Sequence, residues 1–217
     1  MSCKQCEGIT STFDQAEARK TLRRFRRRGP IKTTRLLVNA LREALEETGA
    51  RGAVLLDVGA GIGAIHHELL DGSISRAVHV DASTAQIAAA REETTRRGHQ
   101  NQVQFVLGDF TALADELPRA DVVTLDRVIC CFDDMPTLVR RSGEKAARFY
   151  GAVYPRQVAW MRLAIRILNI IKRLKGTDFR VFLHDPSAIH AVLAKAGLER
   201  RSMQRTLGWE VVVFARR

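Results

Sequence analysis

A six-residue apolar run ending in three alternating glycines constrains the chain most: Ala53-Val54-Leu55-Leu56-Asp57-Val58, then Gly59-Ala60-Gly61-Ile62-Gly63. Because odd and even positions alike are apolar, the run suits a strand buried on both faces, as in a parallel sheet. Glycines at its end let the chain turn sharply and bring bare backbone close to a ligand before a helix begins, here over about residues 62–71. The same unit recurs downstream. Arg76 to Val80 reads as a second strand ending at Asp81, followed by a helix over 84–97 that Gly98 stops. Val103-Gln104-Phe105-Val106 reads as a third strand ending at Gly108-Asp109, and Asp121 to Leu125 as a fourth. A helix over 134–145 and a fifth strand from Arg148 to Val153 complete the series. Strands alternating with helices predict a parallel sheet joined by right-handed crossovers.

The two ends of the chain differ from this core. Asp14 with Glu17 three residues on is a capping-box pattern opening a helix to Arg28, with Ala18, Leu22 and Phe25 on one face. Gly29-Pro30 stops it. Thr33 or Thr34 then caps a second helix to about Glu47, with Leu36, Leu37, Ala40, Leu41 and Ala44 inward, before the Thr48-Gly49-Ala50-Arg51-Gly52 loop. At the other end Asp185-Pro186 opens a helix running to Ala196-Gly197. Glu199–Thr206 and Trp209–Ala215 follow, with only Leu207-Gly208 between them, the spacing of a hairpin. The expected fold is therefore α/β: a doubly wound, mostly parallel, seven-stranded Rossmann-like sheet with a C-terminal antiparallel hairpin and N-terminal helices. Residues 1–49 are expected to form a helical cap and 50–217 the main domain.

The acids stand where a ligand would. Asp57 precedes Gly59 by two, Asp81 ends the second strand, and Asp109 follows the third with Phe110 beside it. The carboxyl ends of strands at the switch point are where open α/β sheets bind ligands, and a carboxylate ending the second strand can take two ribose hydroxyls. Asp109 and Phe110 together suit the edge and face of an adenine. Each acid alone can also be a cap or turn residue. The glycines fit the dinucleotide pattern G-x-G-x-x-G/A as well, with Ala64 in the last place.

With these residues the stretch from about 50 to 217 resembles class I S-adenosylmethionine-dependent methyltransferases, Asp57 to Gly63 being that family's first motif. The resemblance implies that Gly59, Ala60, Gly61 and Gly63 shape the loop under the methionine part of S-adenosyl-L-methionine. It implies that Asp81, with Ala82 beside it, holds the ribose, and that Asp109, with Gly108 and Phe110, meets the adenine. Asp121-Val122-Val123-Thr124-Leu125-Asp126 resembles the fourth motif, which puts Asp126 near the sulfonium and the acceptor. The closing hairpin, usually lacking in nicotinamide-binding folds, resembles the family's own. Within the family, Leu125 to Cys131, the long helix after Tyr154-Pro155 and Leu183-His184-Asp185 are similar to magnesium-protoporphyrin O-methyltransferases. That group typically carries a histidine where Cys130 stands, so the matching catalytic group is missing here.

On this reading the transferred methyl goes to a small organic acceptor, anionic or apolar, and a base is needed only if the acceptor loses its proton early. His184 and Asp126 are the candidate catalytic residues, with Asp133 a further one; imidazole titrates closest to neutrality. His66, His67, His79, His99 and His190 read as structural or exposed. The segment 156–175 is an apolar helix with a polar stripe at Arg162, Arg166, Asn169 and Arg173. It is expected to pack on the sheet with solvated arginines, to form a lid over an apolar acceptor, or to lie on a membrane surface.

Charge and cysteine usage set the remaining limits. The net charge is +11, and residues 1–35 carry +7 of it, Arg23 to Arg28 above all. This stripe suits phosphate or carboxylate groups and leaves an RNA-binding or RNA-modifying function as an alternative, below a small acceptor. A nicotinamide-dependent oxidoreductase is the other alternative. No apolar run reaches the roughly 20 residues of a bilayer span, and no secretory leader is visible, so a cytoplasmic location is expected. Cys3-x-x-Cys6 suits zinc but has no second ligand pair at finger spacing, so no metal is expected and the pair reads as exposed and reduced.

Overall fold

The computed structural model describes Gly8, 12–49 and 51–217; Cys3 and Cys6 lie outside the described residues. In chain order the elements are α1 (Gln15–Arg28), α2 (Lys32–Glu47), β1 (Ala53–Val58), α3 (Ala64–Leu70), β2 (Ile74–Asp81), α4 (Thr84–Arg97), β3 (Val103–Leu107) and α5 (Phe110–Leu113). Then come β4 (Ala120–Asp126), α6 (Met135–Lys145), β5 (Ala146–Pro155), α7 (Ala159–Leu174), α8 (Pro186–Lys195), β6 (Leu198–Arg205) and β7 (Trp209–Arg216). One seven-stranded sheet runs in the order β3-β2-β1-β4-β5-β7-β6. Its first five strands are parallel, and β7 joins antiparallel to both β5 and β6. The expected fold class is borne out.

Alternation along the strands divides the core into two layers. Leu56, Val58, Val123, Leu125, Tyr150 and Phe214 face Leu138 and Val139 of α6 and Ile189 and Leu193 of α8. On the opposite face Leu55, Val122, Phe149, Val153 and Val213 meet Leu37, Leu41 and Leu45 of α2 and Ile65 and Leu69 of α3. Helix α2 is thus one of the covering layers, and the boundary expected at 49/50 runs through a shared core. Helix α1 buries Ala18, Leu22 and Phe25 against Ile62 and Ala89. It is also pinned by Arg26, which reaches Glu92 at 2.9 Å and the fully buried Glu93 at 2.8 Å. Arg96 and Arg97 bind the same Glu93, and the three guanidiniums hold its carboxyl well below the usual carboxylate range despite its burial.

Two local expectations are corrected. Asp14 caps α1 through Glu17 N–H at 2.9 Å, as expected, but α2 starts at Lys32 behind Ile31, with no side-chain cap. Thr33 and Thr34 are buried inside it. Helix α7 does not pack on the sheet: only Met161 and Ile165 are buried, while Leu163, Ile167, Ile170 and Leu174 are exposed. Asn169 is half-buried. It donates to Val181 O at 2.8 Å and accepts from Val181 N–H at 2.9 Å, tying the 176–184 segment beside the helix.

Candidate active site

A cavity of about 790 Å³ opens at the carboxyl ends of the strands, within the roughly 300–1,000 Å³ typical of ligand sites. It straddles β1 and β4, where the strand order reverses, the switch point of a doubly wound sheet. The ends of β1, β2 and β3 form one half. The ends of β4 and β5, with α7 and the 176–184 segment, form the other.

The first half is built from the glycine loop and three acids. Gly59 and Gly63 have φ of 61° and 79°, in the left-handed region. A Cβ on Gly59 would stand 2.5 Å from Val128 Cγ2, and one on Gly63 would stand 2.2 Å from the His66 ring. Gly61 also has a positive φ, with only the Gln86 side-chain oxygen near, at 3.7 Å, so its backbone faces open space. Asp81 fastens this loop: its carboxylate accepts Gly61 N–H and Ser83 N–H, each at 2.8 Å. Burial pushes its pKa up, and those two N–H groups oppose the rise. Gly108, whose N–H donates to Asp81 O at 3.0 Å, and Ala82 line the same wall. Asp109 caps α5, accepting Thr111 N–H at 2.8 Å and Thr111 Oγ1–H at 2.9 Å, and sets the buried Phe110 against the cavity.

Asp57 is 1% exposed and looks inward. It accepts from Thr124 Oγ1 at 2.8 Å, and its other oxygen stands 3.4 Å from His66 Nδ1. With little water to solvate charge, the carboxyl is pushed up to about 7 and the imidazole is held down at about 3. His66, His67 and His79 pack edge to face, ring centroids 4.3 and 5.3 Å apart. Five of their six ring nitrogens have no hydrogen-bond partner among the described residues. Burial keeps all three neutral. Asp57 therefore supports the glycine loop from beneath, through the ring against which Gly63 rests.

In the second half, Asp126 ends β4 and lines the cavity. Its Oδ2 accepts from Thr34 Oγ1 at 2.5 Å and its Oδ1 stands 3.3 Å from Arg127 Nε. Burial raises its pKa against both partners. Arg127 is the one non-glycine residue with positive φ, 62°, among the described residues, a costly conformation that clusters at functional sites. Beyond it the walls are apolar: Val128, Phe132, Pro155, Met161, Ile165, Leu168, Phe179, Val181 and Trp209. Lys20 and Arg24 of α1 stand among the lining residues, and Phe13 meets Phe179 edge to face at 5.7 Å, joining the chain before α1 to the segment after α7.

The structure brings Asp57, Gly59, Ala60, Gly61, Asp81, Ala82, Gly108, Asp109, Phe110 and Asp126 to this one cavity. Gly63 lies behind it against His66. His184 does not reach it: its Nε2 is 2.8 Å from Phe132 O and its ring stacks on Phe182, so it braces the wall from outside. Asp133 is likewise absent from the lining. Cys130 and Cys131 do line it, sulfurs 4.0 Å apart, and Cys130 O accepts Phe182 N–H at 2.7 Å. Arg24 belongs to the basic stripe expected to meet phosphate or carboxylate groups, and α7 to the expected lid; sequence reasoning misses Thr34 as a site residue and the apolar wall outside α7. The wall is assembled from segments distant in the chain and carries no motif; Thr34 is legible only as a polar residue at a helix start. Among the described residues no cluster of side chains suits a metal ion, and no helix is long and apolar enough to cross a membrane.

Residues 56–142 match the family model described as a methyltransferase domain. No protein of curated function matches the chain in sequence. Among solved structures, magnesium protoporphyrin IX methyltransferase from Synechocystis with bound S-adenosylmethionine is similar. Its TM-score is 0.71 at 14% identity, over 100% of this chain and 99% of that one. The same enzyme with S-adenosylhomocysteine gives 0.66 at 18% identity, over 85% and 84%. An O-methyltransferase family protein from Burkholderia thailandensis gives 0.66 at 17% identity, over 95% of this chain and 62% of that one. At these identities the likeness is one of fold. Residues 56–142 are thus a methyltransferase domain, set in a chain with the class I S-adenosylmethionine-dependent methyltransferase fold.

Proposed function

We propose that the protein transfers a methyl group from S-adenosyl-L-methionine to a small, largely apolar organic acceptor. The observation that carries this reading is the division of one cavity. A backbone-lined half with a fastened glycine loop and strand-end acids adjoins a half walled by aliphatic and aromatic side chains. The first half fits the cofactor: Gly61 presents bare backbone, Asp81 keeps unused lone pairs on both oxygens, and Phe110 lies beside Asp109. When bound, the cofactor would supply an electrophilic sulfonium methyl, to which an acceptor lone pair bonds in line as the C–S bond breaks and the thioether leaves.

The chain's own residues then position and shield. The glycine loop and Asp81 hold one reactant, and the apolar wall orients the other and excludes water, so that most of the rate comes from placement. Asp126 is the carboxylate nearest the switch point in the acceptor half. Its raised pKa suits it to take a proton from an acceptor hydroxyl or amine, while Thr34 fixes the orientation of its carboxyl. Arg24 and Lys20 can meet an anionic group at the rim.

Calorimetry with S-adenosylhomocysteine and with NADH tests the reading. We expect saturable binding of the first and none of the second; the reverse would make the chain a nicotinamide enzyme. Labelled-methyl transfer to RNA, but not to small hydrophobic alcohols, acids or amines, would instead favour nucleic acid as the acceptor.

A further inference from the structure

Helix α7 carries its apolar residues on the wrong side for a helix of a soluble core. Leu163, Ile167, Ile170 and Leu174, spaced by four, three and four, form one row, with Trp160 and Ile171 beside it. All six are between 44% and 82% exposed. The row runs the whole 16-residue helix, about 24 Å at 1.5 Å per residue. Helices of globular proteins turn such a stripe toward the core, and a contiguous apolar patch on a soluble surface marks a site of interaction.

The charges say what covers it. Arg162, Arg166 and Arg173 line one border of the apolar row, and Lys172 and Lys175 follow at its C-terminal end. No Asp or Glu occurs between Pro155 and Thr177. A second copy docking by two-fold symmetry would set this face against itself, and the helix would offer its own arginines no acidic partner. A protein interface draws on both signs of charge and excludes lysine from its core. A helix with one apolar face, a basic border and a tryptophan near its end is instead suited to lie in the plane of an anionic bilayer surface. Helix α7 is also too short and too charged to cross one.

We propose that α7 docks the protein on anionic lipid bilayers, the apolar row sinking into the headgroup boundary and the arginines meeting lipid phosphates. The other side of the same helix, Met161, Ala164, Ile165 and Leu168, lines the cavity, as do Lys20 and Arg24 of the basic helix α1. Docking therefore sets the apolar half of the cavity beside the lipid. That an acceptor is drawn from the lipid phase rests on the methyl-transfer reading; the docking itself does not.

The test is co-sedimentation of the full chain with sucrose-loaded vesicles of phosphatidylcholine alone and of equimolar phosphatidylcholine and phosphatidylglycerol. We expect the protein to pellet with the mixed vesicles, to be released as salt rises, and to stay in solution with phosphatidylcholine. I167D with I170D should weaken mixed-vesicle binding by more than about tenfold. Each of Arg162→Gln, Arg166→Gln and Arg173→Gln should weaken it about fivefold. Neither isoleucine lines the cavity, so S-adenosylhomocysteine affinity should be unchanged in all variants, separating failure of docking from failure of the catalytic reading. If the aspartates prevent folding, I167S with I170S puts the same question more gently. Absence of the wild type from both pellets overturns the proposal. So does a self-associated wild type that I167D with I170D renders monomeric while vesicle binding is unaffected, which would assign the face to a second copy.

Discussion

The two halves of the cavity are made of different materials. The half at β1, β2 and β3 is backbone held by short-range hydrogen bonds: Gly61 N–H and Ser83 N–H on Asp81, Thr111 on Asp109, Ala60 N–H on Val80 O. The half at β4 and β5 is side chain, collected from α7, the 176–184 segment and β7. Backbone geometry tolerates little substitution, because any Cβ in the wrong place meets another atom. An apolar wall tolerates exchanges of similar volume. The contrast suits a site in which one reactant is fixed and the other varies between related enzymes.

The largest expected effect comes from breaking the rigid half. Gly63→Val puts a branched side chain at φ 79° and a Cβ 2.2 Å from the His66 ring. Overpacking and left-handed strain together should cost roughly 2–5 kcal/mol and abolish S-adenosylhomocysteine binding. Urea unfolding with calorimetry on the folded fraction reads both; wild-type affinity in a folded variant would show the loop to be adaptable.

Asp57→Asn probes the support beneath that loop through pH. Asp57 titrates at about 7 in the folded protein, against the ordinary 3.8 of an exposed aspartate, which the unfolded chain keeps. Between these values the folded state binds a proton that the unfolded state does not, so stability contributed by Asp57 is full below the lower value and is lost as pH rises to about 7. The slope is about 1.4 kcal/mol per pH unit. Asn mimics the protonated form and lacks this slope. The variant should therefore gain on the wild type from about pH 4 to 7 and no further, as urea melts across that range would read. A difference between variant and wild type that stays flat across that range would mean that the carboxylate is held ionised.

Two substitutions separate the halves. Asp81→Ala removes the group that fastens Gly61 and is expected to hold the ribose, so affinity for S-adenosylhomocysteine should fall at least about tenfold. An affinity within about twofold of wild type would place the ribose elsewhere. Leu168→Asp puts a charge into the apolar wall. It should raise KM for an apolar acceptor severalfold while leaving S-adenosylhomocysteine affinity unchanged; a parallel loss of both would mean the halves do not act separately.

What is legible in the sequence follows the same division. The strands, their order of appearance and the glycine loop are readable because short apolar runs and glycine punctuation are local signals. Asp57, Asp81 and Asp109 can be located but not assigned. Each has a supporting hydrogen-bond role that spacing alone does not distinguish from ligand contact: Asp57 on Thr124, Asp81 on Gly61, Asp109 as a helix cap. His184 is misjudged because a histidine before a helix start says nothing of which way it turns; it is held by Phe132 O and Phe182 instead of lining the cavity. The stripe on α7 is visible in the sequence, but periodicity gives the angle between faces and not which face meets the protein. Leu22 and Phe25 read as one face of a cap; they are core, so removing residues 1–28 would expose Ile62 and His67 as well as open the site.

The smallest effect tests the seam between the halves. Thr34 reads as a helix cap, yet it sits inside α2, buried, and donates to Asp126 at the end of β4. The bond ties the N-terminal layer to the carboxylate proposed to take the acceptor's proton. Thr34→Val keeps the shape and removes the donor. Stability should fall by only about 1 kcal/mol, since Asp126 keeps Arg127 and can bind its own proton. With one hydrogen bond to its ionised form gone, Asp126 should titrate higher, and the pH at which turnover reaches half its maximum should rise with it. A profile unmoved by the substitution, with turnover intact, would make the bond a packing detail and remove Asp126 from the proposed proton path.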